Sequence, residues 1–412
     1  MPLCENIANN VYLCKEVVDE LKNRYILHWN YKGLKQLPIE LLYHGKHIEE
    51  LYMKWNNLNT LPDWIHNMKL LTSMFLVGND ITTLPDNIGL LKFLSVLELQ
   101  SNQLEQLPKT IGRLKNLNIL NLQNNKLTFI PTEIKDLKAL AILNLRGNKI
   151  THLPPLLFHL KSLQELVLDN NHLTSLPLDI VYLPNLTFLS LNGNKLRFLP
   201  FEKFISSPMI SIINNSQLNY LSYDLGCAMT QRCSLLTNSS LWHFDLTGCA
   251  SENIKSDECL NNILISIPSF DKIITLPKII RKVFYSSNFQ TPSLFELSLR
   301  IIHDLCFKVI DTRQCLFPEI INKLPMTIKS MLYEGPVAKC HYCEKSLFTE
   351  CILWLMQRNF YDQMPANILG SVLFCSPQCS ISFVLFEDFE KIHDRLKFNT
   401  IPWKLIERDL ET

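Results

Sequence analysis

Four cysteines late in the chain are the residues best placed to do chemistry: Cys340 and Cys343, then Cys375 and Cys379. Cys340-His341-Tyr342-Cys343 sets two thiols two residues apart, the gap a tight knuckle needs to aim both at one ion. The second pair, Cys375-Ser376-Pro377-Gln378-Cys379, has a three-residue gap and follows the apolar run Val372-Leu373-Phe374. Four thiolates around one site predict a structural zinc, with no open position for water or substrate. His341 and Cys351 are the substitutes should one of the four not ligate. Cys227, Cys233, Cys249 and Cys259 match no ligand spacing and read as buried or idle thiols. The chain has 13 cysteines, and none lies between Cys14 and Cys227. An odd, clustered set argues for thiols and a metal over a disulfide framework.

These ligands need a knuckle, a strand and a helix start to hold them. The second pair opens an amphipathic stretch from Ile381 to Ile392, and a helix N-terminus favours thiolates. The arrangement looks like a zinc-ribbon or treble-clef finger over 335–412.

Nearly half the chain runs on a fixed clock. Asn56, Asn79, Asn102, Asn125, Asn148, Asn171 and Asn194 recur every 23 residues, as do Pro62, Pro85, Pro108, Pro131, Pro154, Pro177 and Pro200. Such a period reads as a leucine-rich repeat. In the unit that begins at Leu117, Leu120 and Leu122 alternate with polar residues as in a half-buried strand. Leu117, Leu127, Ile130, Ile134 and Leu137 point to the core. Asn125 sits where the strand bends and is expected to bond the backbone of adjacent turns, so that stacked copies form a ladder. Proline suits the first helical turn after it. Seven regular units run from Ile48 to about Phe204. A looser one precedes them around Leu27 to Pro38, with 24 residues between Pro38 and Pro62. A degraded one comes after them at Met209 to Leu218. Atypical ends are expected where a solenoid closes its core.

The expected fold class is α/β: a leucine-rich-repeat solenoid (horseshoe), then a small α+β C-terminal domain with a zinc finger. The boundaries are an N-terminal cap at 1–26, repeats at 27–225, an irregular spacer at 226–290, a helical segment at 291–334 and the zinc-binding domain at 335–412. Strand residues pointing away from the core define the concave face. Tyr52, Lys54, Trp55, Phe75, Glu98, Arg146 and Asp169 are its candidate contacts for a protein partner, because exposed aromatics on a rigid sheet make good anchors. The alternative is that Tyr52, Trp55 and Phe75 pack against the N-terminal cap.

A second signal lies in the helical segment. Thr291-Pro292 is a strong helix start. Immediately after it, Ser293, Leu294, Ser298 and Ile302 resemble the Elongin-BC box of SOCS-box and VHL-box proteins. That resemblance implies Leu294 entering Elongin C, with Elongin B alongside, and Ser298 allowing close approach. Leu324-Pro325 resembles the segment that sets the choice of cullin there, with threonine at its fourth position where that family often has proline. The alternative is an ordinary amphipathic helix packed on the last repeat.

The totals exclude other classes. Lys plus Arg number 40 against 39 Asp plus Glu, so nothing in the charge favours nucleic acid or an anionic membrane. No apolar run is long enough for a membrane span and the start lacks signal-peptide character, so the cytoplasm or the nucleus is expected. With 11 glycines and no nucleotide-binding loop, nucleophile motif or His-Glu-x-x-His, an enzyme is not expected. The repeats, their Leu51-Tyr52-Met53-Lys54 entry and the Cys340-to-Phe348 segment together resemble the animal leucine-rich repeat-containing protein 28 family. The resemblance implies an intracellular, non-enzymatic protein. The leading expectation is an interaction module, in its sharpest form the substrate receptor of an Elongin–cullin ubiquitin ligase. The alternative is a Ras-group-type signalling scaffold.

Overall fold

Each 23-residue turn carries leucines at fixed positions, and only stacking on its neighbours can bury them all. The computed structural model describes residues 15–222 apart from 23, 201–203, 207 and 219, and beyond them 264–267, 272–275, 282–284, 293, 296–300, 323–334, 338–341, 343, 346–347, 350–357, 369–386, 399–400 and 404–405. Contacts divide the chain into two units: 1–173 with 182–194 and 205–211, and 174–181 with 195–204 and 212–412.

The first unit opens with helix α1 (Lys15–Lys22) and is built on one parallel sheet of nine short strands in chain order. These are β1 (Ile26–His28), β2 (Glu50–Tyr52), β3 (Ser73–Phe75), β4 (Val96–Glu98), β5 (Ile119–Asn121), β6 (Ile142–Asn144), β7 (Glu165–Val167), β8 (Phe188–Ser190) and β9 (Met209–Ser211). From β2 to β8 the strands recur every 23 residues, with β1 and β9 at the two ends of the sheet. Helix α2 (Glu40–His44) comes after β1, and a short 3-10 helix comes after the proline in each turn from Pro62 to Pro154. Each of those prolines is extended, with ψ from 131° to 150°, and delivers the chain into the helical turn.

The middle residue of each strand points inward. Leu97, Leu120, Leu143 and Leu166 are fully buried, as are Leu117, Leu127, Ile134 and Leu137. Burial of each such side chain stabilises by roughly 1.5–3 kcal/mol. The bend after each strand is closed by asparagine. Asn125 Nδ2 donates to Leu99 O at 2.9 Å and to Leu122 O at 3.0 Å, while its Oδ1 accepts from Leu104 N at 3.0 Å. Asn79, Asn102, Asn148, Asn171 and Asn194 repeat this pattern. At Asn56 the backward reach is one residue longer, to Trp29 O, because the first turn holds an extra residue.

In the second unit β10 (Tyr220–Ser222), β17 (Leu369–Phe374), β16 (Glu350–Gln357) and β13 (Lys282–Phe284) form a sheet in that order. β10 and β13 run parallel to their neighbours, whereas β16 and β17 are antiparallel. β11 (Leu264–Ile267) pairs with β12 (Lys272–Thr275) and with β19 (Lys404–Leu405), and β18 (Asn399–Thr400) joins β16. The stretch expected as an irregular spacer thus supplies three strands. Its β-branched runs, such as Lys272-Ile273-Ile274-Thr275, suit a sheet; β11 and β12 pair with each other as a local hairpin, whereas the other partners, β16 for β13 and β19 for β11, lie more than 60 residues away and leave no local signature. Helix α3 (Met326–Glu334), the hairpin of β14 (Ala338–Lys339) and β15 (Ser346–Leu347), and helix α4 (Pro377–Phe386) also belong to this unit.

Candidate functional site

The open face of the nine-stranded sheet is one site. Tyr52 and Phe75 are register partners on β2 and β3, so parallel pairing sets one ring beside the other. The rings stack with centroids 4.3 Å apart and planes 11° apart. His28 on β1 extends the column at 4.5 Å from Tyr52. Lys54 Nζ lies 4.9 Å from the Phe75 centroid and 5.7 Å from that of Tyr52, within cation–π range. The Tyr52 hydroxyl donates to Glu50 Oε2 at 2.8 Å. That bond, and then burial, raises the Tyr52 pKa above its ordinary value. Trp55 is half exposed and stacks on Tyr31 with centroids 6.4 Å apart.

Glu98 continues the aromatic column and accepts from Asn121 Nδ2 at 3.2 Å. Arg146 is exposed. Asp169 is buried and turned into the sheet, where its Oδ1 accepts from Ser190 Oγ and, at 2.9 Å, from Asn192 N. Its carboxylate orders neighbouring turns. The sequence pattern did not reveal His28 and Tyr31, which fall out of the 23-residue count. Subtracting 24 from Tyr52 and Trp55, as the spacing of Pro38 and Pro62 demands, finds both.

The second site is the thiol cluster. The Sγ atoms of Cys340, Cys343, Cys375 and Cys379 all lie within 4.8 Å of one another. Cys343 is 3.4 Å from Cys375, which is 3.5 Å from Cys379. A tetrahedral zinc with Zn–S bonds of about 2.3 Å places its sulfurs about 3.8 Å apart. The four thiols therefore fit one ion with small adjustments. Cys340 and Cys343 lie in the turn between β14 and β15, and His341 N ties that turn to β17 by donating to Leu373 O at 3.0 Å. Cys375 comes directly after β17 and Cys379 sits in the first turn of α4. Ser376 Oγ caps that helix by accepting from Cys379 N at 3.2 Å. The three-residue gap is what this cap requires. The adjacent Cys340 thiol, and then burial, pushes the Cys375 thiol far above its ordinary pKa. Thiols gathered without a cation resist ionising together, and a bound dication reverses that. Neither His341 nor Cys351 belongs to the cluster.

A family model for the leucine rich repeat matches residues 93–150 and 138–196. The array is a leucine-rich-repeat solenoid. Among solved structures, the chain is similar to a leucine-rich-repeat protein of Leptospira interrogans, at 34% identity and a TM-score of 0.44, over 51% of this chain and 56% of that one. It is also similar to the leucine-rich-repeat ectodomain of the receptor kinase GASSHO1/SCHENGEN3 from Arabidopsis thaliana, solved in complex with Casparian strip integrity factor 2. That match has 26% identity and a TM-score of 0.37, over 45% of this chain and 25% of that one. The leucine-rich-repeat domain of the type III effector XopL matches at 22% identity and a TM-score of 0.40, over 58% and 75%. The chain thus spans about half of the first of these and a quarter of the second. No curated protein matches it.

Beyond the leucine-rich repeats, residues 296–300 are helical. Ser293 caps them, with Glu296 N donating to Ser293 Oγ at 3.2 Å. Glu296, Leu299 and Arg300 are buried, Leu297 is exposed and Ser298 is half-buried. Leu294 and Ile302 lie outside the described residues. Leu324 is half-buried, and Pro325 is exposed just before α3, where its carbonyl accepts from Ile328 N at 3.0 Å. Among the described residues, no helix is long and apolar enough to cross a membrane.

Proposed function

We propose that this chain is a protein-interaction module that holds its partner on the open face of the leucine-rich-repeat sheet. The observation that carries this is the half-exposed cluster of Tyr52, Phe75 and Lys54 on rigid, register-paired strands. Trp55, Glu98 and Arg146 extend the contact surface, and Asp169 positions the turns beneath it. Leucine-rich repeats bind by such faces because a stacked array presents many side chains with little entropy left to lose. The four cysteines would hold a structural zinc that ties the β14–β15 turn to the start of α4. No role in turnover is assigned to the metal.

The test is affinity purification of tagged full-length chain, comparing wild type, Tyr52→Ala/Arg146→Glu and the control Lys109→Glu, which lies on a 3-10 helix and not on a strand. Partners lost only from the face variant support the reading. Identical partner sets from all three sink it.

The ligase-receptor form adds Elongin B/C and a cullin bound through 291–334. It is supported by the residue pattern and by the place of Ser298, on the side of its helix opposite the buried Glu296 and Arg300. Ser298→Arg should then remove Elongin C from the purified material. If wild type carries no Elongin, this form fails and the interaction reading stands.

A further inference from the structure

In every turn the residue after the strand's exit takes the left-handed backbone conformation. From Gly78 to Asn214 this position holds glycine, asparagine and one serine, residues that accept positive φ readily. Its first two members are Tyr31 and Trp55, at φ 58° and 56°. Bulky side chains rarely occupy that region. Core packing does not explain them, because Tyr31 is 73% exposed and Trp55 is 50% exposed. Strain kept at exposed aromatics is an outlier that points to a task.

A second observation lies between these rings and the neighbouring stack. Lys54 occupies the strand exit between Tyr52 and Trp55, and its ammonium faces the Phe75 and Tyr52 rings. The ammonium has no hydrogen-bond acceptor and no ion pair among the described residues. The nearby acids are differently placed: Glu50 accepts from Tyr52 and Glu98 from Asn121. Each carboxylate keeps its charge and further acceptor positions, so the bonding of an anion in this patch falls to the Lys54 ammonium.

We propose, building on the interaction reading of this face, that its first three turns are a site for an acidic peptide segment. A carboxylate of the partner would pair with Lys54, and flanking apolar or proline side chains would lie on Tyr31, Trp55, Tyr52 and Phe75. The pairing is charge-assisted and desolvated on its aromatic side, which favours carboxylate over amide.

The chain itself supplies a clean substitution. A Cβ on Gly78 would come 2.3 Å from Trp55 Cε3, so the indole covers that glycine. At Gly147 and Gly193 the covering atom, at the same 2.3 Å, is the Oδ1 of Asn124 or Asn170. Trp55→Asn thus recreates an arrangement the fold already uses twice.

The experiment is a positional-scanning library of capped octapeptides on beads, probed with fluorescently labelled full-length chain. Pools with fixed Asp or Glu should retain roughly tenfold more protein than the matched Asn or Gln pools. Lys54→Gln should erase that ratio. Trp55→Asn should lose the apolar selection at neighbouring positions while its melting temperature holds or rises. An acid preference that is absent, or unchanged in Lys54→Gln, overturns the proposal. So does a Trp55→Asn chain that melts early yet selects the same peptides. Selection indifferent to Lys54→Gln but lost in Arg146→Glu would overturn it and leave the broader face reading standing. A dimer that dissociates on Lys54→Gln would put a second copy on the patch, and would overturn it too.

Discussion

Asn125 accepts the backbone N–H of Leu104, twenty-one residues earlier, on its side-chain oxygen at 3.0 Å. Its amide nitrogen meanwhile serves the carbonyls of Leu99 and Leu122. One side chain therefore satisfies three buried backbone groups in two turns. Asn125→Ala strands all three, and each unmet buried group costs about 1–3 kcal/mol. A loss of about 3 kcal/mol or more is expected in urea melts. Asn125→Asp should do no better despite its shape, because a carboxylate cannot donate to the two carbonyls. An aspartate variant as stable as wild type would show that the ladder acts through shape alone.

The thiol cluster makes a stoichiometric claim. Full-length chain purified without chelator should carry one zinc, measured by atomic emission. Cys343→Ser and Cys379→Ser should each lose it, while Cys351→Ser should keep it, because Cys351 is buried on β16 outside the cluster. Metal binding is coupled to folding where ligands come from separate elements. Chelation should therefore lower the thermal stability of wild type and leave that of Cys343→Ser unchanged. A metal-free wild type with the same melting curve would leave the four thiols as reduced packing.

What was legible in the sequence was whatever repeats or is local. The asparagine clock gave the strand positions, and the leucines beside it gave the core, because each turn meets the same environment as the last. The Cys-x-x-Cys pair and the cysteines around Ser376-Pro377-Gln378 could be joined because knuckle and helix-cap geometry are local. The hairpin of β11 and β12 is local and its apolar β-branched runs were open to reading but were passed over, whereas β13 was not legible, since its partner β16 lies far along the chain. Tyr31 and His28 were hidden by one inserted residue in the first turn. The inward turn of Asp169 depends on Ser190 and Asn192 in the next turn of the solenoid, and no column count reveals it.

Trp55 and Gly78 give a test of stacking between turns. Gly78 has φ 68°, and so does Gly147. Alanine at either position must bear the same left-handed backbone, which costs about 1–2 kcal/mol. Only at Gly78 does the new methyl also meet the face of an indole, which cannot swing aside as the end of a flexible chain can. Gly78→Ala should therefore be the more destabilising of the two in denaturant melts. Combining it with Trp55→Asn should reduce the difference, the sign of a direct coupling. Equal losses at the two glycines would mean that the backbone term is the whole effect.

The Glu296–Arg300 pair separates burial from charge. Arg300 Nε donates to Glu296 Oε1 at 2.7 Å, and both side chains are almost wholly buried. Breaking a buried ion pair by removing one partner costs about 3–5 kcal/mol. Glu296→Ala and Arg300→Ala should each lose about that much. Replacing both with Leu and Met removes the desolvation penalty together with the attraction, and such swaps are often neutral or stabilising. The double variant is therefore expected to melt closer to wild type than either single one, by calorimetry on the full chain. If the double variant is as unstable as the singles, the pair is required for its hydrogen bonds to the rest of this unit, and an apolar helix cannot take its place.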